Sequence, residues 1–568
     1  MIFVAIASVA TVNADEPDEP TGSNTSPVPR GALLLQPSAP WQWQVVAVPR
    51  IAPRIGALAV NGLDVVAGRA PAPLELLGDP VPPPPGWPHT LGGGAAAIRA
   101  PGDDERIAAA FGVTTFTLGA QERGLEMLEL RLRYQDGVAV WINGVEVVRQ
   151  ALADKTVTAL ADHPHGPEWE TFYIPVAPPL LRHGANTLAV EVHPSGRRFG
   201  PMLAAELYGR RDRGIRRGPI LAEVDAVTAT IAVETDPGIA VVLEWGVGDK
   251  SDRRETSPAG SHHVFKLSGL PANTRISYRA LAGATQTPRY AFRTLPPARA
   301  PVRIGIYGDV RGGHATHRRL VDNMLGEGLD AVAVTGDMVL RGSDEGDWQR
   351  FFAITRELMA QLPYYPAVGN HDLGWDGADV ARRAEEVFAL PAGPPGRPDF
   401  AYWYSRTVAD VHMVFLDSNN YERPEQETWL EADLAQARKA KVRAILVFTH
   451  DGPYSRGYHG GNAIARDRYV PILTRYNVDL VLSGHDHLYQ RGELAGLRYV
   501  VTGGGGASLY SIRCGVSGRP KCKTDDGMIS IFKEHHYLVL AIGRDLELCP
   551  RRVDGTLLEK CVRFGLRR

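Results

Sequence analysis

The chain has 568 residues, 44% hydrophobic and 22% charged, with a formal net charge of −2. That length is too great for one core and implies roughly two to four domains, while the composition excludes wholesale disorder and a bundle of membrane helices. The near-neutral charge excludes a general electrostatic pull on nucleic acid or anionic lipid, so an anionic ligand has to be attracted locally. At the N-terminus, Ile2 to Val12 of MIFVAIASVATVNADEPDEP is apolar but too short to span a bilayer. With Val12-Asn13-Ala14 as a small-residue cleavage site, residues 1–14 read as a signal peptide, so the chain is expected to be secreted, periplasmic or at the cell surface. The polar, Pro-rich stretch 15–30 reads as a linker.

From 31 to 210 short alternating strands are broken by Gly and Pro, the pattern of an all-β sandwich. In LEMLELRLRYQDGVAVWINGVEVVR both Asp136-Gly137 and Asn143-Gly144 are hairpin-turn dipeptides. The segments DGVAVWINGVEVVR and LRHGANTLAVEVH resemble the galactose-binding-like jelly-roll modules of secreted enzymes. Those segments are mostly scaffold, so the resemblance implies a spacer as readily as a carbohydrate or surface contact through 31–210. GRRDRGIRRG (209–218) reads as a solvated connector between domains. Residues 217–297 give a second, smaller set of strands, and SGLPANTRISYRA resembles the fibronectin type III-like domain that precedes the catalytic domain in plant-type purple acid phosphatases.

After residue 300 the rhythm changes to apolar strands alternating with amphipathic helical segments. Near-continuous apolar strands of this kind belong to an α/β unit whose sheet is covered by helices on both faces. Ligand-binding residues in such a sheet gather at the carboxyl ends of its strands. Those ends carry Asp309 (GDVR), Asp337 (GDMV), Asn370-His371-Asp372 (GNHD), His450 (FTHD) and His485-x-His487 (GHDH). Carboxylate, amide oxygen and imidazole are ligands for hard and borderline divalent metals. Each motif alone is ordinary turn chemistry; five in this order, each ending a strand, are not.

This is the motif set of the calcineurin-like metallophosphoesterases, and VLSGHDHLYQR with the GNHD loop resembles the purple acid phosphatase branch. The resemblance implies an αββα sandwich over 300–568 and a centre of two metal ions (Fe, Mn or Zn). In that centre Asp337 would bridge, Asp309 and His487 would complete the first site, and Asn370, His450 and His485 the second. It further implies hydrolysis of a phosphate ester by a metal-bound hydroxide. His371 would then be the general acid, supported by Asp372, and His459 would be a second contact to leaving group or phosphate.

Two positions depart from the pattern. Leu340 stands where purple acid phosphatases have a metal-ligating tyrosine, and Arg311 stands where other members have the histidine of D-x-H. Arg311 cannot give up its proton; it is expected to grip a phosphoryl oxygen and to leave a colourless, looser first site. His314 or His317, in GGHATHRR, could fill the gap. Gly503 to Gly506 would let the backbone approach the site. Finally, Cys514, Cys522, Cys549 and Cys561 lie in the last tenth of the chain and match no zinc motif. In an exported chain they read as two disulfides, with Cys514–Cys522 and Cys549–Cys561 the simplest of three pairings. The leading expectation is an acid-phosphatase-like monoesterase; a phosphodiesterase or nucleotidase, and a binding protein with a degenerate metal domain, remain alternatives.

Overall fold

The computed structural model describes residues 32–35, 42–49, 105–134, 136–152, 161, 169–194, 203–296, 299–340, 342, 345–373, 388–390, 402–523 and 525–567. The expected signal peptide and linker lie outside them. Ala32–Leu35, Leu203–Arg210, Met127–Tyr134 and Trp169–Pro175 form one antiparallel sheet; Gln42–Pro49, Glu105–Leu118, Gly184–His193, Gly137–Ile142 and Val145–Gln150 form another. Leu128, Leu130 and Leu132 of the first share a buried core with Val138, Val140, Val190 and Val192 of the second, so the two inner faces pack together. Asn143 (φ 48°) and Gly144 (φ 83°) turn between the paired Ile142 and Val145, as a two-residue hairpin requires. Asp136-Gly137 is not a hairpin turn: the strands on either side belong to different sheets, and Asp136, at φ 65°, carries the chain across the sandwich. A turn dipeptide sets local direction, not which sheet the next strand joins.

The stretch 209–218 is not a solvated connector either. Arg210 is buried between Asp236 (2.7 Å) and Glu129 (2.8 Å), and Arg217 pairs with Glu234 at 2.7 Å. The acids that draw these arginines inward lie on neighbouring strands, where local sequence does not reveal them. Its second half opens Ile215–Val224, which joins Thr228–Val247, Arg253–Ser268, Arg275–Ala282, Thr285–Gln286 and Tyr290–Arg293 in a third, antiparallel sheet. Trp245, Tyr278 and Phe292 of that sheet merge with the core of the next unit, and the Tyr278 hydroxyl donates to the Ala360 carbonyl at 2.7 Å.

Two further sheets follow, face to face. One runs Tyr364–Pro366, Ala331–Val334, Val302–Tyr307, His536–Ile542, Asp545–Arg552, Val562–Gly565, with its first three strands parallel. The other runs Tyr404–Val408, Val411–Phe415, Ala444–Phe448, Leu480–Ser483, Leu497–Thr502, Tyr489–Leu494, Met528–Phe532, parallel through its centre. Period-two alternation explains why the strands are apolar throughout. Met413, Phe415, Leu446, Phe448 and Leu482 face the first sheet, while Val414, Ile445, Val447 and Val481 face Leu430 and Leu434 of helix Pro424–Lys439 and Ile472 and Leu473 of helix Val470–Arg475. Helices His314–Leu325 and Glu345–Met359 cover the first sheet. The layers are therefore helix, sheet, sheet, helix, the order the resemblance implies, and not the single sheet between two helix layers that the strand pattern alone suggests. Disulfides Cys514–Cys522 and Cys549–Cys561 pin the C-terminal part. Among the described residues no helix is long and apolar enough to cross a membrane.

Candidate metal centre

The parallel strands of both sheets end at one place, and the residues just beyond them converge. Asp309, Asp337 and His450 are all buried, with one ligand atom from each lying within 4.8 Å of the other two. Asp309 (φ 57°), Asp337 (φ 54°) and His485 (φ 68°) are all in the left-handed region, which non-glycine residues rarely occupy and which concentrates at functional sites. The glycine that opens four of the five motifs is a packing requirement as well as turn chemistry. A Cβ on Gly369 would collide with Asp337 Oδ1, and one on Gly484 with Asp309 Oδ2.

The tautomers follow from fixed partners. His450 Nδ1 donates to the Thr335 carbonyl at 2.8 Å, which leaves Nε2 as a lone pair. That lone pair faces Asn370 Oδ1 at 3.0 Å, His485 Nδ1 at 3.1 Å and Asp337 Oδ1 at 3.3 Å. Asp309 Oδ1 accepts from the His485 amide at 2.9 Å, whereas its Oδ2 is buried with no hydrogen-bond donor. Carboxylate and carbonyl oxygens aimed at an imidazole lone pair, with a buried carboxylate oxygen left without a donor, are costly unless a cation lies among them. The residues present therefore fit a divalent metal.

Electrostatics agree. Burial, then the neighbouring Asp337, pushes the Asp309 carboxyl well above the usual range. Burial alone would raise Asp337 too, but His450, His371 and Arg311 hold it down. Two carboxylates sharing one site split in this way. Burial lowers the His450 pKa and takes that of His485 well below the ordinary imidazole value, and burial followed by Arg311 lowers His487 to about 3. Neutral imidazoles are the ligating form.

Arg311 sits inside this cluster, not at its mouth. Its Nε lies 3.3 Å from Asp337 Oδ2, one Nη meets His371 Nε2, and the other donates to Tyr510 Oη at 2.9 Å and faces His487 Nε2 at 3.4 Å. His487 Nδ1 donates to the Ser508 carbonyl at 2.7 Å, and its ring stacks on Tyr510 at 3.9 Å. Asp372 does not support His371, as expected from their adjacency. It accepts from the amides of Met338 (2.7 Å), Gly369 (2.8 Å) and Asp337 (2.9 Å), tying two motif loops together. His371 Nδ1 instead donates to the Leu340 carbonyl at 2.8 Å. His459 stacks on His485 at 3.7 Å, at the side where Asn370 is exposed and His371 and His485 are half-buried.

His317 fills no gap in the centre. It is buried in the helix–sheet core, against the Tyr307 hydroxyl at 3.3 Å and stacked on Phe351. Gly503 to Gly506 pack tightly on the first motif loop: the Gly505 amide donates to the Gly308 carbonyl and the Ala507 amide to the Asp309 carbonyl, both at 2.9 Å. Sequence reasoning missed Thr335, Ser508 and Tyr510. Two act through backbone carbonyls, which any residue supplies, and the third lies outside the motifs.

Residues 302–489, which contain every candidate ligand, match the calcineurin-like phosphoesterase family. The chain thus carries a calcineurin-like metallophosphoesterase domain. Purple acid phosphatases are among its relatives. It is 26% identical over 311 residues to purple acid phosphatase 21 of Arabidopsis thaliana, covering 50% of this chain and 70% of that protein. It is 27% identical over 290 residues to purple acid phosphatase 22 of the same plant, covering 48% and 65%. The chain spans about two thirds of the length of these relatives. A purple acid phosphatase from yellow lupin (Lupinus luteus) seeds shares the fold, with a TM-score of 0.53 at 16% identity over 81% of this chain and 93% of that one. These matches support a phosphoester hydrolase.

Proposed function

We propose that the chain is a secreted, metal-dependent phosphoesterase, acid-phosphatase-like toward monoesters. The observation that carries this is the convergence of lone pairs from Asp309, Asp337, Asn370, His450 and His485 beside a half-open face. These residues would hold a divalent cation. When bound, the ion would polarise a phosphoryl oxygen and make a water molecule acidic enough to attack phosphorus.

The chain's own residues do the rest. Asp337 and Asp309 orient toward the ion's place because the motif glycines and the Asp372 carboxylate fix their loops. The Arg311 guanidinium adds positive charge for an anionic substrate that the net charge of −2 does not attract. His371 and His459 flank the exposed side and are the proposed contacts to the leaving oxygen. His371 Nε2 accepts from Arg311, so donating a proton there requires that contact to open. The two disulfides fit an oxidising compartment. Residues 31–210 and 217–297 are proposed as separate β domains: the first is supported by its own core, the second by its packing on the catalytic unit.

The test is hydrolysis of p-nitrophenyl phosphate against bis-p-nitrophenyl phosphate with Mn, Zn or Fe(II) supplied. Monoester turnover that falls at least about a thousandfold in His450→Ala, with loss of bound metal, is expected. Preference for the bis ester would replace the monoesterase reading, and no turnover of either by metal-loaded protein would remove the enzymatic one.

A further inference from the structure

The centre has two halves, and they are not equivalent. Around His450 the ligand atoms face one another. Around His487 they face a guanidinium as well as Asp309 Oδ1, which lies 3.5 Å from His487 Nε2. Asp337 joins the halves, with Oδ1 on the His450 side at 3.3 Å and Oδ2 on the Arg311 side at 3.3 Å. The carboxylate expected to bridge two ions thus spans from the imidazole cluster to a cationic side chain.

We propose that the centre holds a single divalent cation, gathered by Asp309, Asp337, Asn370, His450 and His485, and that the Arg311 guanidinium stands in the place of a second. The inference rests on the metal-dependent reading above but concerns stoichiometry. Three observations support it. Of the atoms a second ion would take, Asp337 Oδ2 has the Arg311 Nε at 3.3 Å as an ion-pair neighbour without a hydrogen bond to it, and His487 Nε2 has an Arg311 Nη at 3.4 Å. Arg311 is only 3% exposed and is further fastened by His371 and Tyr510. A guanidinium keeps its charge under all ordinary conditions, so a second divalent ion would sit against a permanent positive neighbour in a site of low dielectric. Asp309, which the two-ion pattern allots to the other half, has a ligand atom within 4.8 Å of one on His450 and joins the single ion.

The protein is titrated with Mn(II) in a calorimeter, its metal is counted after gel filtration, and His450→Ala is run in parallel to subtract ions bound elsewhere. One ion per chain is expected; none or two overturns the proposal. Electron paramagnetic resonance of the Mn(II)-loaded wild type gives an independent reading. The spectrum of an isolated ion is expected, and an exchange-coupled pair overturns the proposal even if variants do not fold. Arg311→His, which restores an imidazole, should raise the count to two. A variant that melts cooperatively yet still takes one ion overturns the role given to Arg311. One ion without hydrolysis sinks the enzymatic reading and leaves the stoichiometry standing, whereas two ions with hydrolysis does the reverse.

Discussion

Of the regions that bury arginine among the described residues, two do so on opposite terms. At the seam between the N-terminal sheets, the middle sheet and helix Glu345–Met359, a cavity of about 320 Å³ is lined by Arg131, Arg210, Arg216, Arg217 and Arg350. There the guanidinium groups meet carboxylates. Arg210 grips Asp236 with both Nη atoms, at 2.7 and 3.1 Å, Arg131 takes Glu206 at 2.6 Å, and Arg217 and Arg216 share Glu234. At the metal centre Arg311 has the Asp337 carboxylate at 3.3 Å, through Nε, and also meets imidazole nitrogens and a phenol oxygen. The fork geometry of the seam is the kind that locks elements together. The centre sets its guanidinium among imidazoles and a phenol as well as a carboxylate, and a buried charge so placed belongs where chemistry or ligand binding repays its cost.

The sharpest way to break this contrast is at the seam. Arg210→Ala leaves Asp236, which is fully buried, without its bidentate partner. Removing one member of such a pair costs about 3–5 kcal/mol, so a large drop in the urea midpoint is expected, with kcat/KM unchanged where the protein is still folded. A loss of activity at unchanged stability would mean the seam is part of the working machinery and the contrast is false.

How much of this was legible in the sequence depends on what each feature is made of. Asp309, Asp337, Asn370, His371, His450, His485 and His487 stood out because metal chemistry admits few residue types and each follows an apolar strand. The structure brings them together. The layer order was harder, since a strand apolar on both faces reads the same whether helices or a second sheet cover it. Arg311 was visible as a departure, but a local pattern cannot say whether a side chain points toward substrate or into the cluster. Thr335 and Ser508 were invisible because their carbonyls, not their side chains, fix the tautomers of His450 and His487. The buried pairs of the seam join residues such as Arg131 and Glu206, far apart in sequence, and only the sheet pairing of their strands makes them neighbours.

A buried imidazole set among aromatic rings sharpens the comparison further. Burial pushes the His317 pKa down to about 3, while the unfolded chain titrates near 6.5. Between those values the unfolded state binds a proton that the folded state refuses, so stability is lost as pH falls from about 6.5 toward 3. The loss is about 1.4 kcal/mol per pH unit for this one group. Urea melts at pH 7, 6 and 5 should show that slope in the wild type, and it should shrink by that amount in His317→Phe. Parallel curves for the two proteins would mean the imidazole is protonated in place.

The smallest change asks whether Arg311 is held or merely present. Tyr510→Phe removes the hydroxyl that accepts from Arg311 at 2.9 Å and keeps the ring that stacks on His487. A hydrogen bond from a charged donor contributes about 1.5 kcal/mol or somewhat more, so kcat/KM should fall roughly tenfold. The metal count should not move, because Asp337 and His371 still hold the guanidinium in its half of the centre. If a second ion enters instead, the hydroxyl was the decisive fastening and Arg311 is mobile without it. If neither activity nor metal content changes, the imidazoles and Asp337 alone position the charge, and the difference between the locked seam and the reactive centre lies in burial rather than in the number of fastenings.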